Sequence, residues 1–136
     1  MPNPLNVFDT SALLAWILRE PGASFVEAQF CEKCAISAVN LTELATKLID
    51  LRIVESSDVV KQRLERLDIM IVSYDDEQAI EAASLRESSR KLGLSLGDRA
   101  CIALAKKLNA RVLTTDKAWL KLDVNIAIID VRNPNL

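Results

Sequence analysis

The chain has 136 residues, half of them apolar and 26% charged, with a formal net charge of −2 and no histidine. That length and apolar share make one domain with a core of its own and exclude a disordered segment, while the acidic balance counts against a nucleic-acid binder that works by overall charge but not against an enzyme that holds phosphates through metal ions. Without histidine, Ser-His-Asp triads, histidine zinc sites and paired-imidazole cleavage of RNA are excluded, so any hydrolysis must rest on carboxylates, metal ions, lysine or cysteine.

The opening Met1-Pro2-Asn3-Pro4 has neither the charged start nor the apolar stretch of a secretory leader. No apolar run approaches the ~18 residues of a membrane span, and a cytoplasmic protein without membrane partners is expected. Asn6-Val7-Phe8 reads as a short buried strand, with Asp9 at its C-terminal end and Thr10-Ser11 leading into a helix over Ala12–Leu18. Glu20-Pro21-Gly22 breaks the chain. Ala23 to Cys31 reads as a second short helix with Phe25, Val26 and Phe30 on its apolar side. Cys34–Ser37 is a second strand, and a helix follows to about Leu51. Its Leu41, Leu44, Ala45 and Leu48 recur at helical spacing, and Asn40, Glu43 and Lys47 share a different stripe.

Ser56-Ser57-Asp58 signals the next helix start, whose apolar residues are Val59, Val60, Leu64 and Leu67. Asp68–Val72 is a third strand. Asp75–Leu92 reads as a long helix with Ala79, Ala82, Ala83 and Leu85 inward, ended by Gly93. Leu94–Asp98 reads as a loop, with Asp98 opening a helix over Arg99–Leu108. Arg111–Thr115 is a fourth strand, ended by Asp116, and Lys117–Leu120 a short helical turn. A last strand lies within Val124–Val131, centred on Ile126–Ile129. Strands that are continuous apolar runs alternating with helices mark a parallel sheet covered on both faces. The expectation is a single α/β domain over residues 1–136, three layers deep (α/β/α), with a central parallel sheet of four to five strands.

Asp9 and Asp116 fall at strand C-termini, and Glu43 and Asp98 in the first turns of helices. In a parallel sheet all four face the crevice beyond the strand ends, where ligands gather. Each has an ordinary use, such as Asp9 as a capping or turn residue, Asp98 as a helix cap and Glu43 as the helix-start acid of a capping box. Four such uses on one edge are the weaker account. Carboxylates that converge need cations, protonation or distance. Oxygen-only donors suit Mg²⁺ or Mn²⁺, and such ions turn water into a nucleophile and offset the charge of a phosphodiester. Lys47, Arg99, Lys117 and Lys121 offer phosphate contacts, although any one of them also reads as a solvated helix face. Trp16 and Trp119 are expected in core or interface packing rather than stacked on a base. Cys31-Glu32-Lys33-Cys34 matches C-x-x-C, but it closes a helix instead of opening one, and Cys101 alone cannot complete a zinc site. Reduced, partly buried thiols are expected.

Four segments then carry a resemblance: Val7-Phe8-Asp9-Thr10-Ser11-Ala12-Leu13, Asn40-Leu41-Thr42-Glu43, Leu96-Gly97-Asp98-Arg99-Ala100-Cys101-Ile102-Ala103-Leu104-Ala105 and Val112-Leu113-Thr114-Thr115-Asp116-Lys117-Ala118-Trp119. In this order, across nearly the whole chain, they resemble the motifs of PIN-domain ribonucleases, and among these the VapC-type toxins of toxin–antitoxin pairs. The resemblance implies endonucleolytic hydrolysis of RNA dependent on Mg²⁺ or Mn²⁺, leaving a 5′-phosphate. By position it makes Asp9, Glu43, Asp98 and Asp116 the metal-site acids and Thr10, Ser11, Asn40 and Thr115 the residues that orient them. It also implies a cognate antitoxin as partner, docked near the first helices with a basic residue reaching the acids. The aromatic side chains of those helices further lead to a homodimer. Two alternatives keep their own signatures. A haloacid-dehalogenase-like phosphohydrolase also starts from an acid after its first strand, but wants a second acid where Ser11 stands. A receiver-like module would bind an ion without turnover.

Overall fold

The computed structural model describes residues 5–135. The leaderless reading of Met1–Pro4, and the outermost ends of the 1–136 domain, lie outside them. Five strands form the sheet: β1 (Asn6–Phe8), β2 (Cys34–Ser37), β3 (Ile69–Val72), β4 (Arg111–Thr114) and β5 (Ile128–Asp130). Their order is β3-β2-β1-β4-β5, and every neighbouring pair is parallel. The chain winds outward from β1 to β3, then crosses back to place β4 on the other side of β1. The topological switch point therefore lies between β1 and β4, where open parallel sheets leave a crevice at the strand C-termini.

Helices cover both faces. They are α1 (Thr10–Ile17), α2 (Ala23–Ala28), α3 (Ala38–Asp50), α4 (Ser57–Arg66), α5 (Asp76–Ser89) and α6 (Leu96–Leu108), with short 3-10 turns at Gln29–Cys31, Arg90–Leu92 and Lys117–Lys121. The two-residue period of a strand sorts the core. Phe8, Ile36 and Leu113 point to one face, where they pack with Leu13, Leu44, Leu48 and Leu64 of α1, α3 and α4. Val7, Ala35 and Val112 point to the other, against Leu85 of α5, against Cys101, Ile102, Leu104 and Ala105 of α6, and against Trp119. The three-layer α/β/α expectation holds, with five strands.

Local signals explain most boundaries. Ser37, Asp75 and Ser95 cap α3, α5 and α6 by accepting a backbone N–H, and Gly93 takes the left-handed conformation after the long helix. Several details differ from expectation. The helix over Ala23–Cys31 tightens to a 3-10 turn at Gln29, and the long helix does so at Arg90. The last strand starts at Ile128, two residues past Ile126. Helix α6 begins at Leu96, because Ser95 rather than Asp98 is the cap; Asp98 is its partner in a capping box. Ala83 is exposed, and Gln78 takes the inward place beside Ala82 and Leu85. Trp16 stacks edge-on against Phe30 with ring centres 4.7 Å apart, and Phe30 against Phe8 at 5.8 Å. Trp119 is fully buried. Both tryptophans thus pack within the domain, as expected. Among the described residues no helix is long and apolar enough to cross a membrane.

Candidate active site

Asp9 follows β1 directly and caps α1, accepting the Ala12 N–H at 2.8 Å. Its carboxylate also accepts from Ser11 Oγ at 2.7 Å and from Thr114 Oγ1 at 2.5 Å. The capping and site readings of Asp9 are therefore one geometry: the cap orients the carboxylate at the switch point. Parallel register sets Phe8 beside Leu113, so the next position pairs Asp9 with Thr114. Thr115 is among the residues expected to orient the acids. Its contribution is its backbone N–H, which donates to Ser11 Oγ at 3.0 Å, while the hydroxyl that reaches Asp9 belongs to Thr114. Asp9 is 5% exposed. Burial pushes its carboxyl from 3.8 up to about 6, against the lowering effect of the Thr114, Ser11 and Ala12 hydrogen bonds, and the Asp98 charge adds to the rise.

Glu43 lies in the second turn of α3 rather than the first. That extra turn brings its carboxylate over to α1, where Thr10 Oγ1 donates to Oε1 at 2.7 Å. Asn40, one turn earlier on the same stripe, donates to the same oxygen at 2.9 Å. Its Nδ2 also reaches the Gly97 carbonyl at 3.1 Å, which ties α3 to the start of α6. Asn40 is 1% exposed, and its Oδ1 has no hydrogen-bond partner. Asp98, in the first turn of α6, accepts the Ser95 N–H at 2.9 Å. Its carboxyl is raised by burial, opposed by the Ser95 hydrogen bonds and reinforced by the charges of Glu43 and Asp116.

Asp9, Glu43 and Asp98 line one open cleft of about 310 Å³, together with Thr10, Ser11, Leu14 and Lys47. Lys47 has no carboxylate within ion-pair distance among the described residues, which leaves its ammonium to the cleft. Asp116 is exposed and stands outside that lining, capping the turn at Lys117–Lys121 through Ala118 N at 3.0 Å; its own N–H meets Thr114 Oγ1 at 3.1 Å. Three of the four acids share the cleft and the fourth stands beside β4. Arg99 turns away from them, donating to the Ala82 carbonyl of α5 at 3.1 Å. Lys117 and Lys121 lie on the exposed turn after Asp116.

Among the described residues no three acid or thiol side chains are drawn together closely enough to hold an ion between them. Each carboxylate is held instead by its own donors, and mutual repulsion favours that spacing. The donor chemistry nevertheless fits a hard divalent cation. Every polar donor lining the cleft except Lys47 is oxygen, and a buried amide oxygen on Asn40 lacks a partner beside Glu43. The one soft atom nearby, the Cys101 thiol, is fully buried, and burial together with the charges of Asp9, Asp98 and Glu43 holds it well above its ordinary titration range. The Cys31-x-x-Cys34 pair is remote: both thiols are free, Cys34 starts β2 at the opposite end of the sheet, and burial pushes it up to about 11. Ser11, where a haloacid-dehalogenase-like enzyme would carry a second acid, is a donor to Asp9.

A parallel three-layer domain with oriented carboxylates at its switch point defines a class of α/β proteins that work at the C-terminal edge of the sheet. Within that class the chain belongs to the PIN domain family, whose model matches residues 7–125. No curated protein matches its sequence. Among solved structures it is similar to a toxin–antitoxin complex from Klebsiella pneumoniae (TM-score 0.71, 17% identity, covering 93% of this chain and 97% of that one). It is also similar to VapBC2 from Rickettsia felis bound to a promoter DNA fragment (0.66, 15%, covering 91% and 96%). A third is Mycobacterium tuberculosis VapC20, a sarcin-ricin loop cleaving toxin (0.67, 13%, covering 86% and 95%). At these identities the likeness is one of fold.

Proposed function

We propose that the protein is an endoribonuclease and the toxin of a type II toxin–antitoxin pair. The observation that carries the reading is the cleft itself. On a PIN domain, buried Asp9, half-buried Asp98 and exposed Glu43 meet Lys47, which has no ion-pair partner among the described residues, at the switch point of the sheet. In this reading Asp9, Glu43, Asp98 and Asp116 hold Mg²⁺ or Mn²⁺. When bound, the ion supplies an activated water and offsets the charge developing on the phosphodiester. The chain's own groups do the rest. Ser11 and Thr114 fix the Asp9 carboxylate, Thr10 and Asn40 fix that of Glu43, and Lys47 receives a phosphate oxygen of the RNA. Lys117, on the rim beside Asp116, meets the flanking backbone. A local cation answers the acidic overall charge: the substrate is drawn by the cleft, not by the whole surface.

The antitoxin belongs to the same reading. A groove of about 380 Å³ runs between α1, α3 and α4, lined by Trp16, Ile17, Leu44, Leu48, Leu64 and others, with Arg19, Arg63 and Arg66 and no acid. Its apolar floor and basic rim suit an amphipathic segment with acidic residues. Helix α3 separates it from the cleft, since Leu44 and Leu48 line the groove while Glu43 and Lys47 line the cleft. A partner in the groove can thus reach across with a basic residue to the acids. A homodimer belongs to the same reading, although Trp16 and Phe30, two of the aromatic side chains that led to it, pack with Phe8 within the domain; sedimentation at tens of micromolar tests it. A cytoplasmic site of action goes with this reading.

The deciding experiment incubates purified protein with total RNA in Mg²⁺, in Mn²⁺ and in EDTA, and maps the product ends. Cleavage that needs the ion and leaves 5′-phosphates is expected. RNA left intact with both ions, or cut equally well in EDTA, overturns the reading.

A further inference from the structure

Gly97 is the second residue of α6 and is buried. Its backbone is not left-handed, so conformational freedom does not call for glycine there, and alanine would be the better helix former. The requirement is space. A Cβ at position 97 would collide with the Glu43 carboxylate, meeting both oxygens and the carboxyl carbon. The Gly97 carbonyl meanwhile accepts from Asn40 Nδ2, the same group that donates to Glu43 Oε1. Thr10 Oγ1 supplies a second donor to Oε1. No protein donor reaches Oε2 among the described residues.

We propose that Gly97 is a positioning residue for Glu43. The missing side chain is the slot in which a carboxylate from the second turn of α3 lies against the first turn of α6, beside Asp98. Thr10 and Asn40 fasten one oxygen, and the floor at Gly97 sets the depth of the carboxylate, most closely at the second oxygen, which no protein donor occupies among the described residues. The sequence Leu96-Gly97-Asp98 then makes two contributions to one site: an acid, and the room for another acid. This inference rests on the nuclease reading, and misplacing a reacting group by about 1 Å is enough to cost about 100-fold in rate.

The test has two arms. In EDTA, thermal melts of wild type, Gly97→Ala, Glu43→Ala and the double variant measure the contact without any ion or substrate. Gly97→Ala is expected to raise the melting temperature where residue 43 is alanine, and to lower it or leave it unchanged where Glu43 is present. In the second arm, Mn²⁺ titration by calorimetry and RNA cleavage are compared for wild type and Gly97→Ala. Mn²⁺ affinity is expected to fall at least several-fold and kcat by about 100-fold, with KM changed only a few-fold. Additive melting shifts in the first arm overturn the slot whatever the protein does. Wild-type Mn²⁺ affinity and kcat in Gly97→Ala overturn its positioning role. A coupled slot in a wild type that neither binds Mn²⁺ nor cuts RNA overturns the nuclease reading, and the role of Gly97 with it.

Discussion

The two ends of strands β1 and β4 carry polar groups of opposite character. At the N-terminal end, Asn6 is fully buried. Arg111 Nε donates to Asn6 Oδ1 at 2.6 Å, and its guanidinium also reaches Gln29 Oε1 at 3.0 Å. Gln29 in turn donates to the Phe25 carbonyl at 3.2 Å. Cation and amides satisfy one another there, and the network needs nothing from outside. At the C-terminal end, Asp9 and Asp98 have hydrogen-bond donors but no ion-pair partner among the described residues, and Lys47 lines the same cleft without pairing to them. Both ends are polar, and only at the C-terminal one are carboxyls raised by burial and like charge. In the nuclease reading, the want of an ion-pair partner, more than burial or polarity, distinguishes the end that would bind the ion.

The sharpest way to break the comparison is Asp98→Asn. The change keeps an oxygen to accept the Ser95 N–H and removes a charge that faces Glu43 and Asp116. RNA cleavage should fall about 10³-fold, as expected for losing several kcal/mol of transition-state stabilisation at a metal ligand. Stability without metal should rise by up to about 1 kcal/mol after solvent screening, and Mn²⁺ should raise the melting temperature less than in wild type. A variant that melts lower in EDTA yet cuts RNA at the wild-type rate would reduce Asp98 to its capping role.

How far the sequence carried this site depends on what each residue's placement required. The strands, their parallel direction and the acids after β1 and β4 were legible, because apolar runs ending in an acid before a helical segment are local patterns. Thr114 was not, because choosing it over Thr115 requires the register of β4 against β1, which is a long-range fact. Counting two residues on from Val112, which faces the α6 side with Val7, would have supplied the signal. Asp98 as the partner of a capping box was legible in Ser95-Leu96-Gly97-Asp98, and reading the segment as a loop passed over it. The turn toward α5 that takes Arg99 out of the cleft had no local signal, since it depends on where the Ala82 carbonyl lies.

A second prediction uses pH. Asp9 titrates at about 6 in the fold against an ordinary 3.8. Between these values the folded state holds a proton that the unfolded chain has lost. The contribution of Asp9 is therefore fully present below about pH 4 and is lost as pH rises through 6, a difference of at most about 3 kcal/mol. Lowered carboxyls such as Asp75 and Glu81, each beside a lysine, act in the opposite direction, so the measurement is a difference. Denaturant midpoints of wild type and Asp9→Asn in EDTA should diverge between pH 4 and pH 7.5, with wild type losing stability relative to the variant. Parallel curves would show that Asp9 is not raised, and the two ends of the strands would then be alike.

At the other end the expected effect is smaller and falls on a different quantity. Arg111→Met leaves Asn6 Oδ1 buried without its donor, which costs about 1–3 kcal/mol. The denaturant midpoint should drop while kcat of the folded protein stays at the wild-type value. A variant with unchanged stability but impaired cleavage would reverse the assignment of structural and functional ends.

The smallest effect is expected from replacing the cysteine pair, and it bears on the one chemistry-bearing motif the site leaves unused. Cys34 lies opposite Asn6 in the β1–β2 register, at the N-terminal end of the sheet. It is 3% exposed and donates to the Gln29 carbonyl at 3.1 Å. Burial holds it as a thiol rather than a nucleophilic thiolate. Cys31 is exposed and donates to the Ala28 carbonyl. In Cys31→Ser/Cys34→Ser each hydroxyl can make the donation its thiol made, so the loss is limited to the packing of one buried sulfur, about 1 kcal/mol or less. Cleavage of RNA should stay within a few-fold of wild type in the presence and absence of reductant. The pair touches the Asn6–Gln29–Arg111 end only, and the sheet lies between it and the carboxylates. Complete loss of cleavage in a variant that melts like wild type would mean that the two ends are coupled through β1 and β2, and would overturn their separation into a self-satisfied end and a cation-seeking one.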